Sequence, residues 1–112
     1  FYGILSNGGS RDGKTIMSRE SINQALTPHT SGPDTVLFFG DIKFGLGYLL
    51  NTQLSPIGRS ESAFGHEGIG GACAYGDIDK KIGFSYINNK IHKGLKLYQS
   101  SNELSDILYK LI

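Results

Sequence analysis

Apolar residues near the start of the chain have helical spacing. Residues 1–7 precede two glycines at 8–9, which predicts a helix closed by a glycine cap, because glycine readily adopts the left-handed conformation at a helix end. A polar, flexible stretch is predicted over 8–14. Ser18 then has the position of a helix cap, with Met17 packing on Ile22. This second helix ends before Pro28, because the residue that precedes a proline is disfavoured in the helical conformation.

The middle of the chain predicts strands. Residues 30–34 are typical of turns, 36–39 and 44–50 are short aromatic runs bounded by breakers, and 51–62 form a polar loop. A glycine-dense segment follows at 63–71. Residues 72–76 and 82–88 predict an antiparallel hairpin around a turn at 77–80, because apolar and small residues alternate along the second run.

The last apolar run predicts an amphipathic helix. Ser100 and Glu103 have the spacing of a capping box. Apolar residues recur behind them at helical intervals, which predicts a buried face, while Ser105 and the charged residues face away. The apolar positions are Leu104, Ile107, Leu108, Leu111 and Ile112. Helices at both ends of an antiparallel run of strands predict an α+β arrangement, with the helices packed on one or both faces of the sheet.

Length and charge narrow the function classes. The 112 residues suit one domain or part of one, and the start at Phe1, inside a predicted helix, leads us to expect a further upstream part. A net charge of +1 disfavours nucleic acid or an anionic membrane as partner. A single cysteine, Cys73, favours a reducing, cytoplasmic compartment without deciding it. Neither the localisation nor the oligomeric state is predicted.

The segment 64–71, FGHEGIGG, holds the candidate chemistry. His66 lies on a predicted strand, and the glycines around it permit close approach of a ligand or another backbone. Spacing alone favours a structural histidine. His29, His66, His92 and Cys73 lack metal-ligand spacing, so neither a metal nor a cofactor is expected.

Two other patterns favour structural interpretations. Gly45 and Gly47 lack the third glycine and the helix of a dinucleotide fingerprint, which leaves them as a strand feature. The basic residues after the hairpin favour a solvated connection to the last helix. They are Lys90, His92, Lys93 and Lys96.

Taken with its flanks, the segment resembles the C-terminal end of the beta-lactamase-related serine hydrolases. That family includes class C beta-lactamases, D-alanyl-D-alanine carboxypeptidases and related esterases. The resemblance rests on residues 64–71 with the following 83–89, and it continues through 44–48 and 1–9 with 26–28, so it covers most of the chain. It implies that residues 1–112 are the C-terminal part of one domain with a beta-lactamase/transpeptidase-like fold.

The resemblance also implies roles for four residues. The His-x-Gly motif would lie on a sheet strand along the active-site wall, where His66 orients a catalytic tyrosine or the substrate. The backbone N–H of Ile69 would be one of two oxyanion-hole donors, worth about 3 kcal/mol of barrier. Gly68 would leave room for the substrate, and Glu67, where the family often has threonine or a small residue, is the other expected substrate contact.

The family's Ser-x-x-Lys motif, which holds the nucleophile and its base, is absent, since no serine has a lysine three residues later. The Tyr-x-Asn pattern at 86–88 follows the His-x-Gly strand instead of preceding it, and is a chance match. We therefore expect a piece of a serine hydrolase that acts on a small-molecule or peptide amide or ester and is inactive alone. A catalytically dead relative serving as a binding or assembly module, and an unrelated small α+β binding domain, remain alternatives.

Overall fold

The computed structural model describes residues 1–37, 40–53, 56–91 and 98–112. Within these residues a six-stranded antiparallel sheet carries helices on both faces, with strand order β3-β4-β5-β6-β7-β8. The α+β class predicted from the sequence is confirmed. The elements are α1 (Tyr2–Ser6), β1 (Ser10–Arg11), β2 (Lys14–Thr15), α2 (Arg19–Leu26), β3 (Thr30–Pro33), β4 (Asp41–Phe44), β5 (Leu49–Leu50), β6 (Ala63–Glu67), β7 (Cys73–Asp77), β8 (Ile82–Tyr86) and α3 (Gln99–Lys110).

The first two helices form as their end signals predict. α1 closes on Gly8 and Gly9, whose φ angles are +78° and +83°, and the Gly9 N–H donates to Ile4. The Ser18 hydroxyl accepts from the N–H of Ser21 at the start of α2. Both helices pack on the same face of the sheet, which we call the Phe64 face. The core on this face holds Leu5, Ile22, Leu50 and Phe64.

Residues 8–14 are not simply a flexible loop. β1 and β2 pair as a short antiparallel hairpin around Asp12 and Gly13, which have φ of 51° and 74°. Two positive φ angles in a two-residue loop are those of a type I′ turn, for which Asp-Gly is a strong sequence signal. The Asp12-Gly13 pair thus explains why this polar stretch is ordered as a hairpin.

The predicted strand boundaries between residues 30 and 50 are wrong. Residues 30–33 form β3 instead of a turn, and residues 36–37 lie in a turn instead of a strand. Phe38 and Phe39 lie outside the described residues. The predicted strand over 44–50 is two strands, β4 and β5, joined by a tight turn in which the Gly45 N–H donates to Tyr48 and Gly47 has a φ of +84°. Gly47 therefore marks a reversal of the chain.

The second core lies on the opposite face of the sheet, which we call the Tyr75 face. It holds Ile57, Cys73 and Tyr75, with Phe84 and Tyr109 packed against them. Tyr75 and Phe84 stack with ring centroids 4.8 Å apart.

Helix α3 lies on the Tyr75 face, but it does not bury the predicted side. Ser101 and Ser105 are each 2% exposed, whereas Leu104, Ile107, Leu111 and Ile112 are 45–78% exposed. The capping box is also absent, since α3 begins after Tyr98 with no side-chain cap. Short serines allow close approach to β7, where the Tyr75 hydroxyl donates to Ser105 over 3.0 Å. Polar contacts, not the apolar stripe, orient this helix.

Among the described residues, no helix is long and apolar enough to cross a membrane.

Candidate active site

His66 lies on β6, on the same sheet face as Phe64, because side chains alternate along a strand. Its side chain is exposed, and its ring lies 6.1 Å from that of Phe44 between centroids. Nδ1 is 2.6 Å from the carbonyl oxygen of Glu67. A carbonyl can only accept, so Nδ1 carries the hydrogen, and whenever the ring is in its neutral form Nε2 is an acceptor. This tautomer suits a histidine that accepts a proton or a hydrogen bond from a neighbouring group.

The side chain of Glu67 points to the other face of the sheet. Glu67 is the register partner of Cys73, which belongs to the Tyr75 core. Burial raises the pKa of Glu67, and the nearby charges of His66 and Arg59 oppose that shift only in part. The structure thus does not bring the Glu67 carboxylate to the exposed side of His66. The expected contact of Glu67 with a substrate stays a prediction, and only its main-chain carbonyl meets His66.

A tight turn follows β6 directly. The N–H of Gly71 donates to the carbonyl of Gly68 over 2.8 Å, and the N–H of Gly68 donates to Ala72 over 2.7 Å. The N–H of Ile69 has no acceptor among the described residues, and the Ile69 side chain is 88% exposed. As far as the described residues go, the turn therefore leaves a backbone donor available three residues after His66.

The glycines of this segment differ in what they do. A Cβ at Gly65 would lie 2.2 Å from the carbonyl oxygen of Ala74, so β6 and β7 pair closely only with glycine there. Gly71 has a φ of +95°, which also favours glycine. A Cβ at Gly68 would meet only ordinary contacts at 3.7 Å, both with Ala72. Packing within the described residues therefore does not require glycine at position 68. Space for a ligand would be one function of the missing side chain.

The lone thiol nearby is not an activated nucleophile. Burial, with the Glu67 charge as a smaller cause, raises the pKa of Cys73 to about 12. A reactive cysteine needs the opposite shift, because the thiolate is the nucleophile. The part of the chain that the structure describes holds no cluster of three or more candidate metal ligands.

Asp77, which the sequence predicts to begin the turn of the hairpin, is instead a buried carboxylate at the end of β7. It is 0% exposed and accepts hydrogen bonds from the hydroxyls of Ser60, Ser62 and Tyr109 and from the Lys80 N–H. Three of these donors are distant in sequence, so spacing gave no signal. The cluster ties α3 and the loop before β6 to the sheet.

The other sequence patterns do not converge on His66. Residues 45–47 form the turn between β4 and β5. In the pattern at 86–88, Tyr86 ends β8 and Asn88 donates to the carbonyl of Gly70. Of the basic cluster, Lys90 is exposed, and His92, Lys93 and Lys96 lie outside the described residues.

The chain was compared with protein-family models, with curated proteins and with solved structures. No family model matches the chain. Over 92 residues the chain is 34% identical to the esterase/beta-lactamase LipL of Mycobacterium tuberculosis (strain ATCC 25618 / H37Rv), a match that covers 80% of this chain and 20% of LipL.

Solved structures agree in fold. A penicillin-binding protein homologue from Caulobacter crescentus superposes with a TM-score of 0.76 at 29% identity, and a family VIII carboxylesterase with 0.73 at 25% identity. Each match covers 91% of this chain and 29% of the solved one. EstA from Arthrobacter nitroguajacolicus Rue61a has a TM-score of 0.74 at 20% identity, over 98% of this chain and 30% of EstA, and supports the fold alone.

The architecture is thus that of beta-lactamase/transpeptidase-like proteins. These similarities support the assignment of the chain to the beta-lactamase-related serine hydrolase family, which its motifs predicted. The chain spans a fifth of LipL and under a third of the solved relatives.

Proposed function

We propose that this chain forms one wall of the active site of a longer serine hydrolase that cleaves an ester or amide through an acyl-serine. The observation that carries the proposal is the N–H of Ile69, which has no acceptor within the part of the chain that the structure describes and lies in a tight turn after the exposed His66. The similarity to proteins named as an esterase/beta-lactamase and a carboxylesterase supports the reaction class.

The chemistry assigns a separate task to each group. A serine oxygen supplied by another part of the protein bonds to the substrate carbonyl carbon, and negative charge develops on the carbonyl oxygen. The Ile69 N–H donates to that oxygen, which a fixed donor in a water-poor site stabilises by about 3 kcal/mol. The bond to the leaving group then breaks as the serine proton passes through a base to that group, and water cleaves the acyl-serine.

His66 would accept through Nε2 from a catalytic hydroxyl or from the substrate, since Nδ1 is held by the Glu67 carbonyl. Gly68 would let the substrate approach the strand. The Glu67 side chain lies away from this surface, so we assign Glu67 a part through its main-chain carbonyl.

The test compares the 112-residue chain with the full-length protein, using nitrophenyl acetate as the ester and nitrocefin as the amide. Full-length protein should turn over at least one of them and lose that activity when its nucleophilic serine is replaced by alanine. The isolated chain should turn over neither. Serine-dependent turnover by the chain alone would contradict the division of labour, and a full-length protein inert toward a broad ester and amide panel would favour a catalytically dead binding module.

A further inference from the structure

Asn88, two residues after β8, holds the glycine turn from outside. Its side-chain Nδ2 donates to the carbonyl of Gly70 over 2.7 Å and to that of Lys90 over 2.6 Å. The Asn88 side chain is half-buried. Both hydrogens of the amide are thus used, one on the turn, at a residue 18 positions before Asn88, and one on the loop after β8, so the side chain links these two segments.

These contacts continue through the turn to the N–H of Ile69. A trans peptide is planar, and its C=O and N–H point in opposite directions. The peptide joining Gly70 and Gly71 accepts from Asn88 at its oxygen and donates from its N–H to Gly68. The next peptide in this series joins Gly68 and Ile69, so its oxygen accepts from Gly71 while its N–H, that of Ile69, points away from that bond.

We propose that Asn88 is the positioning residue of the oxyanion donor, acting on the Ile69 N–H through two peptide planes in series. This inference rests on the proposed function and adds a residue to it. The chain of hydrogen bonds orients the donor before substrate arrives. It also polarises the donor, because each hydrogen bond in a series strengthens the next. Gly68 and Gly70, two of the turn residues, have no side chains of their own, so the Asn88 amide adds a side-chain constraint to the backbone hydrogen bonds of the turn.

The test uses the full-length protein with Asn88→Asp, which keeps the side-chain shape and removes both donors. We expect kcat for a nitrophenyl ester to fall about 10- to 100-fold with KM changed less than about threefold. The loss is smaller than the roughly 10²- to 10³-fold cost of deleting a donor, because the Ile69 N–H is still present. The rate of inactivation by a nitrophenyl alkylphosphonate, whose tetrahedral adduct also places charge on oxygen, should fall in parallel with kcat.

Asn23→Ala is the matched control. Asn23 is an exposed asparagine on α2 whose side chain has no hydrogen bond within the described part of the chain. This variant should keep wild-type kcat and wild-type inactivation. Equal kcat values for Asn88→Asp and Asn23→Ala would overturn the positioning role.

Hydrogen exchange separates this inference from the proposed function. In Asn88→Asp, residues 68–72 should exchange faster, with Gly71 most affected, while β7 and β8 exchange as in wild type. That result supports the positioning of the turn by Asn88 even in a protein that hydrolyses nothing. In that case only the proposed function fails. An unchanged hydrogen-exchange rate at residues 68–72 would overturn the positioning role of Asn88, whatever the hydrolytic activity of the variant.

Discussion

Strands β6 and β7 run side by side, yet their two ends differ completely. At one end Ala63 pairs with Asp77, and at the other Glu67 pairs with Cys73, about 13 Å away at the usual rise per strand residue. The Asp77 end is closed, with a fully buried carboxylate that has several hydrogen-bond donors. The Glu67 end leads into an exposed turn in which the Ile69 N–H has no acceptor from residues 1–37, 40–53, 56–91 or 98–112. One end serves stability, and the other leaves groups available for binding.

The pKa values of Asp77 and Glu67, one at each end, are shifted in opposite directions. Burial alone would raise the pKa of Asp77, but four hydrogen bonds, those from Ser60 and Tyr109 first, outweigh it and hold that pKa below its ordinary value. Burial raises the pKa of Glu67, and the charges of His66 and Arg59 do not cancel the effect. A buried charge is tolerated where hydrogen bonds stabilise it and is disfavoured where they do not.

The largest expected effect is at the closed end. Asp77→Ala removes the acceptor of three hydroxyl donors, and unsatisfied buried donors cost about 1–3 kcal/mol each. We expect a loss of about 4 kcal/mol in the free energy of unfolding, measured by urea denaturation of the full-length protein. Asp79→Asn, at an exposed residue two positions along, is the control and should change stability by less than about 0.5 kcal/mol. Similar stability of the two variants would contradict the role of the cluster.

Two glycine substitutions sharpen the comparison within one segment. Gly65→Ala places a Cβ against the Ala74 carbonyl and should destabilise the fold by about 3 kcal/mol. Gly68→Ala meets only ordinary contacts and should unfold within about 0.5 kcal/mol of wild type. Urea unfolding measures both.

The same Gly68→Ala variant should lose turnover about 10-fold or more, because the added methyl group occupies the space proposed for substrate, a cost of about 1.4 kcal/mol in barrier. Steady-state ester hydrolysis measures this. Wild-type turnover with an intact fold would remove Gly68 from the site.

The smallest expected effects concern pH, and they have opposite signs at the two ends. Asp77 has a lowered folded pKa, so its contribution is present above the ordinary value of 3.8 and is lost as the pH falls through the folded value. Glu67 has a raised folded pKa, so its ionisation costs stability as the pH rises above the ordinary value of 4.5. Asp77→Asn should therefore flatten the acid-side loss of Tm below about pH 4.

Glu67→Gln, in contrast, should raise stability at pH 7 by less than about 1 kcal/mol and leave pH 4 nearly unchanged. Thermal melts of both variants from pH 3 to pH 7 measure these slopes. If both substitutions changed the slope of Tm against pH in the same direction relative to wild type, the contrast between the two ends would be contradicted.

Local signals predicted much of the fold. The glycine cap after α1, the Ser18 cap of α2 and the β7–β8 hairpin all depend on neighbours in sequence, and each was found. The face of α3 was predicted wrongly, because periodicity reports which side is apolar and not which side has a partner. Leu104 is 45% exposed while Ser105 is buried against Tyr75.

The candidate site divides in the same way. His66 and Ile69 were found through a contiguous motif, and they remain predictions as catalytic groups. Asn88 could not be found from spacing, since its partner Gly70 lies 18 residues earlier and comes close only through the β7–β8 hairpin. Glu67 is adjacent to His66 in the motif, but side chains alternate along a strand, so adjacent motif residues lie on opposite faces of the sheet.

The Ile69 N–H is proposed to donate to the negatively charged oxygen of an acyl-transfer intermediate. A crystal structure of the full-length protein inactivated with a nitrophenyl alkylphosphonate tests it directly. We expect a phosphonate oxygen 2.7–3.1 Å from the Ile69 nitrogen, about the range of an oxyanion-hole donor, with the Asn88 contact to Gly70 retained. A covalent adduct whose oxygens all lie beyond hydrogen-bond distance of Ile69 would contradict the account.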